Sequence, residues 1–323
     1  LNRFEKLMVI LIVEEVKILP KNNNLATFTL LSKLRCLLII NNLLMKRLLL
    51  SVFVITTFVG LTSIKSSSSD PTEVFGGATR FVNYKIFGKK YAKTPIYNSK
   101  LKGHAYYIVS GHGGPDPGAM TKKGNVWISE DEYAYDVSLR LARNLIGHGA
   151  TVYMITRDEN DGIRDARILP MDKDETVWGG KSMPLDQKSR LNQRTSIINK
   201  LYYANRKKGY KTQRVIVTHI DSRYVGRKVD VFFYHNGNSS NGKMLANTMF
   251  NTIKKEYTTH QKGRGYDGVV SSRDLWMLRE TKPTTVYIEL GNIQNAFDQK
   301  RLLISDNRQA IANWLALGVL KGE

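Results

Sequence analysis

From Gly103 onward, short apolar runs alternate with longer stretches of helical periodicity. Ala105-Tyr106-Tyr107-Ile108-Val109, Thr151-Val152-Tyr153-Met154-Ile155, Arg214-Val215-Ile216-Val217-Thr218 and Thr285-Val286-Tyr287-Ile288 are β-branched and aromatic, as buried strands should be, and Val229 to Tyr234 makes a fifth. Between them, Tyr133, Val137, Leu141 and Leu145 recur every four residues. Ser129 with Glu132 gives that helix a capping-box start, and Gly147 and Gly149 close it. Further helices are expected over about 186–207, 243–257 and 307–320. Strands alternating with helices predict a single α/β domain, a mostly parallel twisted sheet with helices on both faces.

The first hundred residues read differently. Met45-Lys46-Arg47 precedes an apolar run from Leu48 to Leu61, and small and polar residues follow to Ser69. A basic start, an apolar stretch too short to span a bilayer comfortably and a small-residue exit describe a secretory signal peptide over 45–66. Residues 1–44 are expected to be an upstream extension of the reading frame, with an uncleaved membrane anchor as the alternative. Residues 67–102 are expected to be a linker and N-terminal arm, and 103–323 the catalytic domain. Export makes the protein periplasmic or secreted.

Composition narrows the chemistry. The one cysteine, Cys36, lies in the doubtful first segment, so the mature chain has neither a disulfide nor a thiolate metal site, and any metal is held by His, Asp or Glu. The net charge is +21 over 323 residues; residues 1–69 carry 9 of the 49 Lys/Arg and 3 of the 28 Asp/Glu, which leaves about +15. Such a field suits an anionic wall or membrane surface. Export and the scatter of the basic residues argue against nucleic acid.

Functional groups of open α/β sheets gather beyond the carboxyl ends of the strands. The first strand runs into Ser110-Gly111-His112-Gly113-Gly114-Pro115-Asp116-Pro117-Gly118, a second ends in His219-Ile220-Asp221, and a third ends in Glu289-Leu290-Gly291-Asn292. Glu130 joins them from the first turn of its helix, a position that the helix dipole alone would also explain. Two His and one carboxylate form a familiar set for catalytic zinc, and a second carboxylate would shuttle the proton. His104, His148 and His260 read as structural or solvated. His235 is a candidate substrate contact, and Arg279 either an ion pair in the site or a surface charge.

Gly111-His112-Gly113-Gly114 with Asp116-Pro117-Gly118-Ala119, Glu130 nineteen residues before Gly149, Thr156-Arg157-Asp158, Leu191 with Arg194 and Asn199, Thr218-His219, and Glu289-Leu290-Gly291 with Asn295 resemble, in order, the motifs of the zinc-dependent N-acetylmuramoyl-L-alanine amidases. The resemblance covers about residues 103–320. It implies one zinc ion on His112, Glu130 and His219, Glu289 as the catalytic glutamate, and cleavage of the amide between N-acetylmuramic acid and L-alanine in peptidoglycan. The use would be wall remodelling or daughter-cell separation. It also implies a monomer with an activator protein as a candidate partner. A zinc peptidase acting on wall peptides and a catalytically silent peptidoglycan-binding protein are the rivals. Asp221, Asn292 and the inserted residues 161–188 depart from the family pattern and bear on substrate preference; the insertion is expected to be a lid or a partner-binding loop.

Overall fold

The computed structural model describes residues 70–223 and 225–323, so the expected upstream extension and signal peptide lie outside the described residues. Six strands form the central sheet: β1 (His104–Ser110), β2 (Thr151–Met154), β3 (Thr212–Asp221), β4 (Phe232–His235), β5 (Val270–Ser272) and β6 (Thr284–Asn292). Their order is β5-β4-β6-β3-β1-β2. Four of the five pairings are parallel and only β4 against β6 is antiparallel, as the expected mostly parallel sheet requires.

Successive side chains of a strand point to opposite faces, and both faces here are covered. Tyr106 and Ile108 of β1 and Ile216 of β3 enter one core with Val137 and Leu141 of α1 (Glu130–Gly147), Met249 and Ile253 of α3 (Ser240–His260) and Leu315 of α6 (Ser305–Lys321). Tyr107 and Val109, with Val215 and Val217, face the other way, onto Ile198 of α2 (Gln187–Lys207) and Met277 of α4 (Trp276–Glu280). Each fully buried aliphatic side chain contributes roughly 1.5–3 kcal/mol, so the two layers together fix where the carboxyl ends of β1, β3 and β6 emerge. A short helix, α5 (Ala296–Leu303), follows β6.

Several local expectations change. The strand read as Val229 to Tyr234 runs Phe232–His235, because Asp230 takes a positive φ of 57° and turns the chain just before it. The capping box does not form. Ser129 ends a hairpin strand (Val126–Ser129, paired with Met120–Lys123) and its hydroxyl makes no capping bond, while Arg164 draws the Glu132 carboxylate away at 2.8 Å. A reciprocal pair holds the helix start instead: Glu130 N donates to Ala119 O (2.8 Å) and Ala119 N donates to Glu130 Oε2 (2.9 Å).

The inserted residues 161–188 are packed, not structureless. Thr176–Val177 and Lys181–Ser182 complete a three-stranded sheet with Thr156–Arg157. Leu169 is fully buried, and Tyr133 of α1 and Arg308 of α6 donate to the carbonyls of Arg167 and Ala166. Before the sheet, a hairpin (Arg80–Asn83 with Lys93–Ile96) carries Phe87 in its loop, and Phe87, Ile96 and Leu101 all join the larger core. No helix among the described residues is long and apolar enough to cross a membrane.

Candidate metal and catalytic site

The carboxyl ends of β1, β3 and β6 open onto a cleft of about 630 Å³, lined among others by His112, Glu130, His219 and Glu289. Backbone geometry aims the first of these. His112 has a φ of 60°, a left-handed conformation that few non-glycine residues adopt, and Gly113 and Gly114 continue it at 91° and 64°. The chain thereby reverses at the end of β1 and turns the imidazole back over the sheet. His219 comes from β3 next to Glu289 of β6, in register, and the pairing slips immediately afterwards, between His219 and Asp221. Tyr287 lies two residues before Glu289, hence on the same face, and stacks on the His219 ring at 4.5 Å and 12°.

Glu130 is the hinge of the arrangement. Its Oε1 accepts from His219 Nδ1 (2.7 Å) and from Ile220 N (2.9 Å), and its Oε2 lies 3.3 Å from His112 Nε2. One donor atom from each of His112, Glu130 and His219 falls within 4.8 Å of the others. Tetrahedral zinc with nitrogen and oxygen donors at about 2.0–2.2 Å places its donors about 3.4 Å apart, and the 2.7 and 3.3 Å separations here are near that, so the donor set fits the ion. Two glycines make the approach possible: a Cβ on Gly111 would lie 2.1 Å from His219 Cε1, and one on Gly118 would lie 2.7 Å from both Glu130 Oε2 and the His112 ring.

Charge states follow from partners as much as from burial. Burial resists ionisation of Glu130, but the hydrogen bond from His219 and the charges of both histidines hold its pKa below the ordinary value. Burial draws the pKa of His219 below its ordinary value, outweighing Glu130. For His112 burial also favours the neutral ring, yet Asp116, with Oδ2 at 3.0 Å from Nδ1, and Glu130 together raise its pKa. Arg190 grips the same Asp116 oxygen at 2.6 Å, and Asp116 is held far below the usual carboxylate range, chiefly by His112. Arg194 donates to the His112 carbonyl. Histidine ligands take their orientation from such carboxylate partners.

Glu289 is the opposite case. It is 6% exposed, its Oε2 has no hydrogen-bond partner among the described residues, and burial, then Glu130 and Asp221, push its pKa well above the ordinary value. Asp221 is held by Arg223 at 2.8 Å, and Asn292 donates to Arg227 O at 2.9 Å.

The sequence brought the four residues to one place, and the structure adds Asp116, Tyr287, Arg273 and Trp276 around them. Tyr287 could have been found from the period-2 spacing to Glu289; Asp116 belongs to the strand-end loop legible in the sequence, and its partner Arg190, seventy-four positions away, has no local signal. His235 does not line the cleft: its Nδ1 is satisfied by the Asn236 carbonyl at 2.9 Å. Arg279 is a surface charge, paired with Asp274 and Glu280 and lying over Trp276. His104 pairs with Glu323 and His260 with Glu256, whereas His148 is buried against Phe75 and Tyr97, with a pKa lowered by burial to about 4.

The family model of N-acetylmuramoyl-L-alanine amidases matches residues 107–321. No curated protein matches the chain. Among solved structures, the CwlD amidase from Clostridioides difficile, in complex with the GerS lipoprotein, is 18% identical, with 67% of this chain and 97% of that one covered and a TM-score of 0.48. The catalytic domain of CwlV from Bacillus (Paenibacillus) polymyxa var. colistinus is 19% identical over 68% of this chain and 97% of that one, with a TM-score of 0.47. The amidase AmiC2 of Nostoc punctiforme is 18% identical over 68% and 96%, with a TM-score of 0.46. By the family model, which spans β1 to α6 almost entirely, the chain belongs to the N-acetylmuramoyl-L-alanine amidases and is an amide hydrolase of peptidoglycan.

Proposed function

We propose that this chain is an exported, zinc-dependent amidase that cuts the bond between the lactyl group of N-acetylmuramic acid and L-alanine, in wall remodelling or daughter-cell separation. The observation that carries the reading is the convergence of His112, Glu130 and His219 in one cleft with the hydrogen-bond-free carboxyl oxygen of Glu289. The two imidazoles and the Glu130 carboxylate would hold one zinc ion, which when bound supplies Lewis-acid polarisation and water activated near neutral pH.

The chain's own groups do the rest. Glu289 takes the proton of the attacking water as the new carbon–oxygen bond forms at the lactyl carbonyl. Its buried site favours the protonated form, so it holds that proton until the carbon–nitrogen bond breaks and then gives it to the alanine nitrogen. Asp116 and Arg190 keep the His112 ring from turning, and Tyr287 does the same for His219.

A signal peptide over 45–66 belongs to this reading, as do contact with an anionic surface, suited by the charge of about +15 that remains beyond residue 69, and an activator protein. Purified sacculi digested with and without a chelator test it by mass spectrometry. Glycan freed of intact stem peptides, abolished by the chelator and restored by zinc, is expected; trimmed peptides or chelator-resistant release overturns it.

A further inference from the structure

Among the described residues, two arginines line the wall of the catalytic cleft, Arg223 and Arg273, and they are in different electrostatic positions. Arg223 is already neutralised: Asp221 accepts from its Nε at 2.8 Å and from its Nη2 at 3.1 Å. Arg273 is exposed and makes no ion pair among the described residues. Its backbone is nevertheless fixed, since Arg273 N donates to His235 O at 3.1 Å where β5 leaves the sheet, and its guanidinium lies over the Tyr234 ring at 5.2 Å. That ring is in turn held by a hydrogen bond from Arg223 at 2.8 Å. Arg273 is close enough to the reacting end of the cleft to favour the charged form of Glu289. Leu275 and Trp276, just beyond it, give the same wall an apolar surface.

An unpaired guanidinium supported on an aromatic face is a carboxylate receptor waiting for its partner. The rest of the cleft makes the point sharper. Asp221 already holds Arg223, so on this wall the guanidinium left for an anionic portion of a substrate is that of Arg273. Beyond the alanine, stem peptides carry main-chain carboxyl groups that different walls leave free or convert to amides. We propose that Arg273 is a specificity residue that binds a free carboxylate of the stem peptide close to the scissile amide, so that the enzyme favours unamidated over amidated stems. This rests on the amidase reading and adds to it a choice between substrates.

Two muropeptides that differ only in whether the second stem residue carries a free or an amidated main-chain carboxyl test it. The native enzyme is expected to favour the free acid by about tenfold in kcat/KM, through KM, as one charge-assisted hydrogen-bonded pair at a partly open site allows. Arg273→Gln is expected to bring that ratio close to one, and Arg273→Lys to restore part of it, since lysine keeps the charge but loses the fork. Zinc content and melting temperature identify any variant that has failed to fold. A native enzyme indifferent to the two substrates, or an Arg273→Gln variant that keeps the tenfold ratio, overturns the proposal. Calorimetric binding of both muropeptides to the zinc-loaded Glu289→Ala protein reads the same preference without turnover. If the native enzyme cleaves neither substrate the amidase reading fails, and the binding ratio still decides for or against Arg273.

Discussion

Two trios of side chains of the types that can ligate a metal meet at the first turn of α1, one residue apart, and their fates differ. Glu130 faces the cleft with His112 and His219; Asp131 and Glu132 face the insertion with Glu175, and in each trio the donor atoms lie within 4.8 Å of one another. Both sets of carboxylates are buried. Glu130, in contact with two imidazoles, is held in its charged form. In the all-carboxylate trio burial dominates: it pushes Asp131 up to about 8 and Glu132 to about 7, the latter despite Arg164, and Glu175 is raised although it accepts from Gly114 N at 2.6 Å. Burial alone therefore does not decide whether a carboxylate of this helix turn is an anion. Two imidazoles outweigh it at Glu130, and one guanidinium does not at Glu132.

The hardest test of that contrast removes the cleft carboxyl whose Oε2 has no hydrogen-bond partner among the described residues, Glu289. Glu289→Ala is expected to lower turnover by about 10²–10⁴-fold while retaining zinc, measured by release of peptides from sacculi alongside elemental analysis. A variant that loses the metal instead would make Glu289 a ligand and merge the two kinds of carboxylate. Less drastic is Asp116→Asn, which leaves the three metal donors in place but removes the charge that steadies His112. Zinc affinity is expected to fall by about 10–100-fold in a competition titration with a chromogenic chelator. An unchanged affinity would mean that the cleft trio is set by its own members alone.

The smallest effect belongs to the other trio. Because the folded-state pKa of Asp131 is raised, the native protein binds more protons than the unfolded chain between about pH 4 and pH 8, and its stability falls as pH rises through that window. Asp131→Asn cannot ionise. It is expected to melt with the native protein at about pH 4 and above it beyond about pH 8, in thermal unfolding at a series of pH values. A difference of the same size at both ends would show that the residue acts through packing.

Much of this was legible in the sequence where a period or a strand end carried it. The buried strands announced themselves by β-branched runs, α1 by its fourfold spacing, and His112, His219 and Glu289 by their positions at strand ends, whereas Glu130 rested on the family resemblance. What was not legible had weak local character. α4 spans five residues and lacks a side-chain cap, and the hairpin Met120–Ser129 turns at a glycine inside a basic stretch with no alternation to mark it. Asn295, read as part of a motif, caps α5 by accepting from the backbone of Phe297 and Asp298. The contacts of the insertion, Glu175 to Gly114 and Arg164 to Glu132, join positions far apart in the chain, and no local pattern encodes them. His235 and Arg279 were plausible by proximity in sequence and are excluded by direction in space.

The bare α-carbon of Gly111 ties two distant parts of the sequence into a single heritable unit. The place of its missing side chain is already taken by the His219 ring, so a side chain at 111 and the present position of that ring exclude one another. A larger residue at 111 is thus expected to act on the cleft through the His219 ring, a position of one element read out on another.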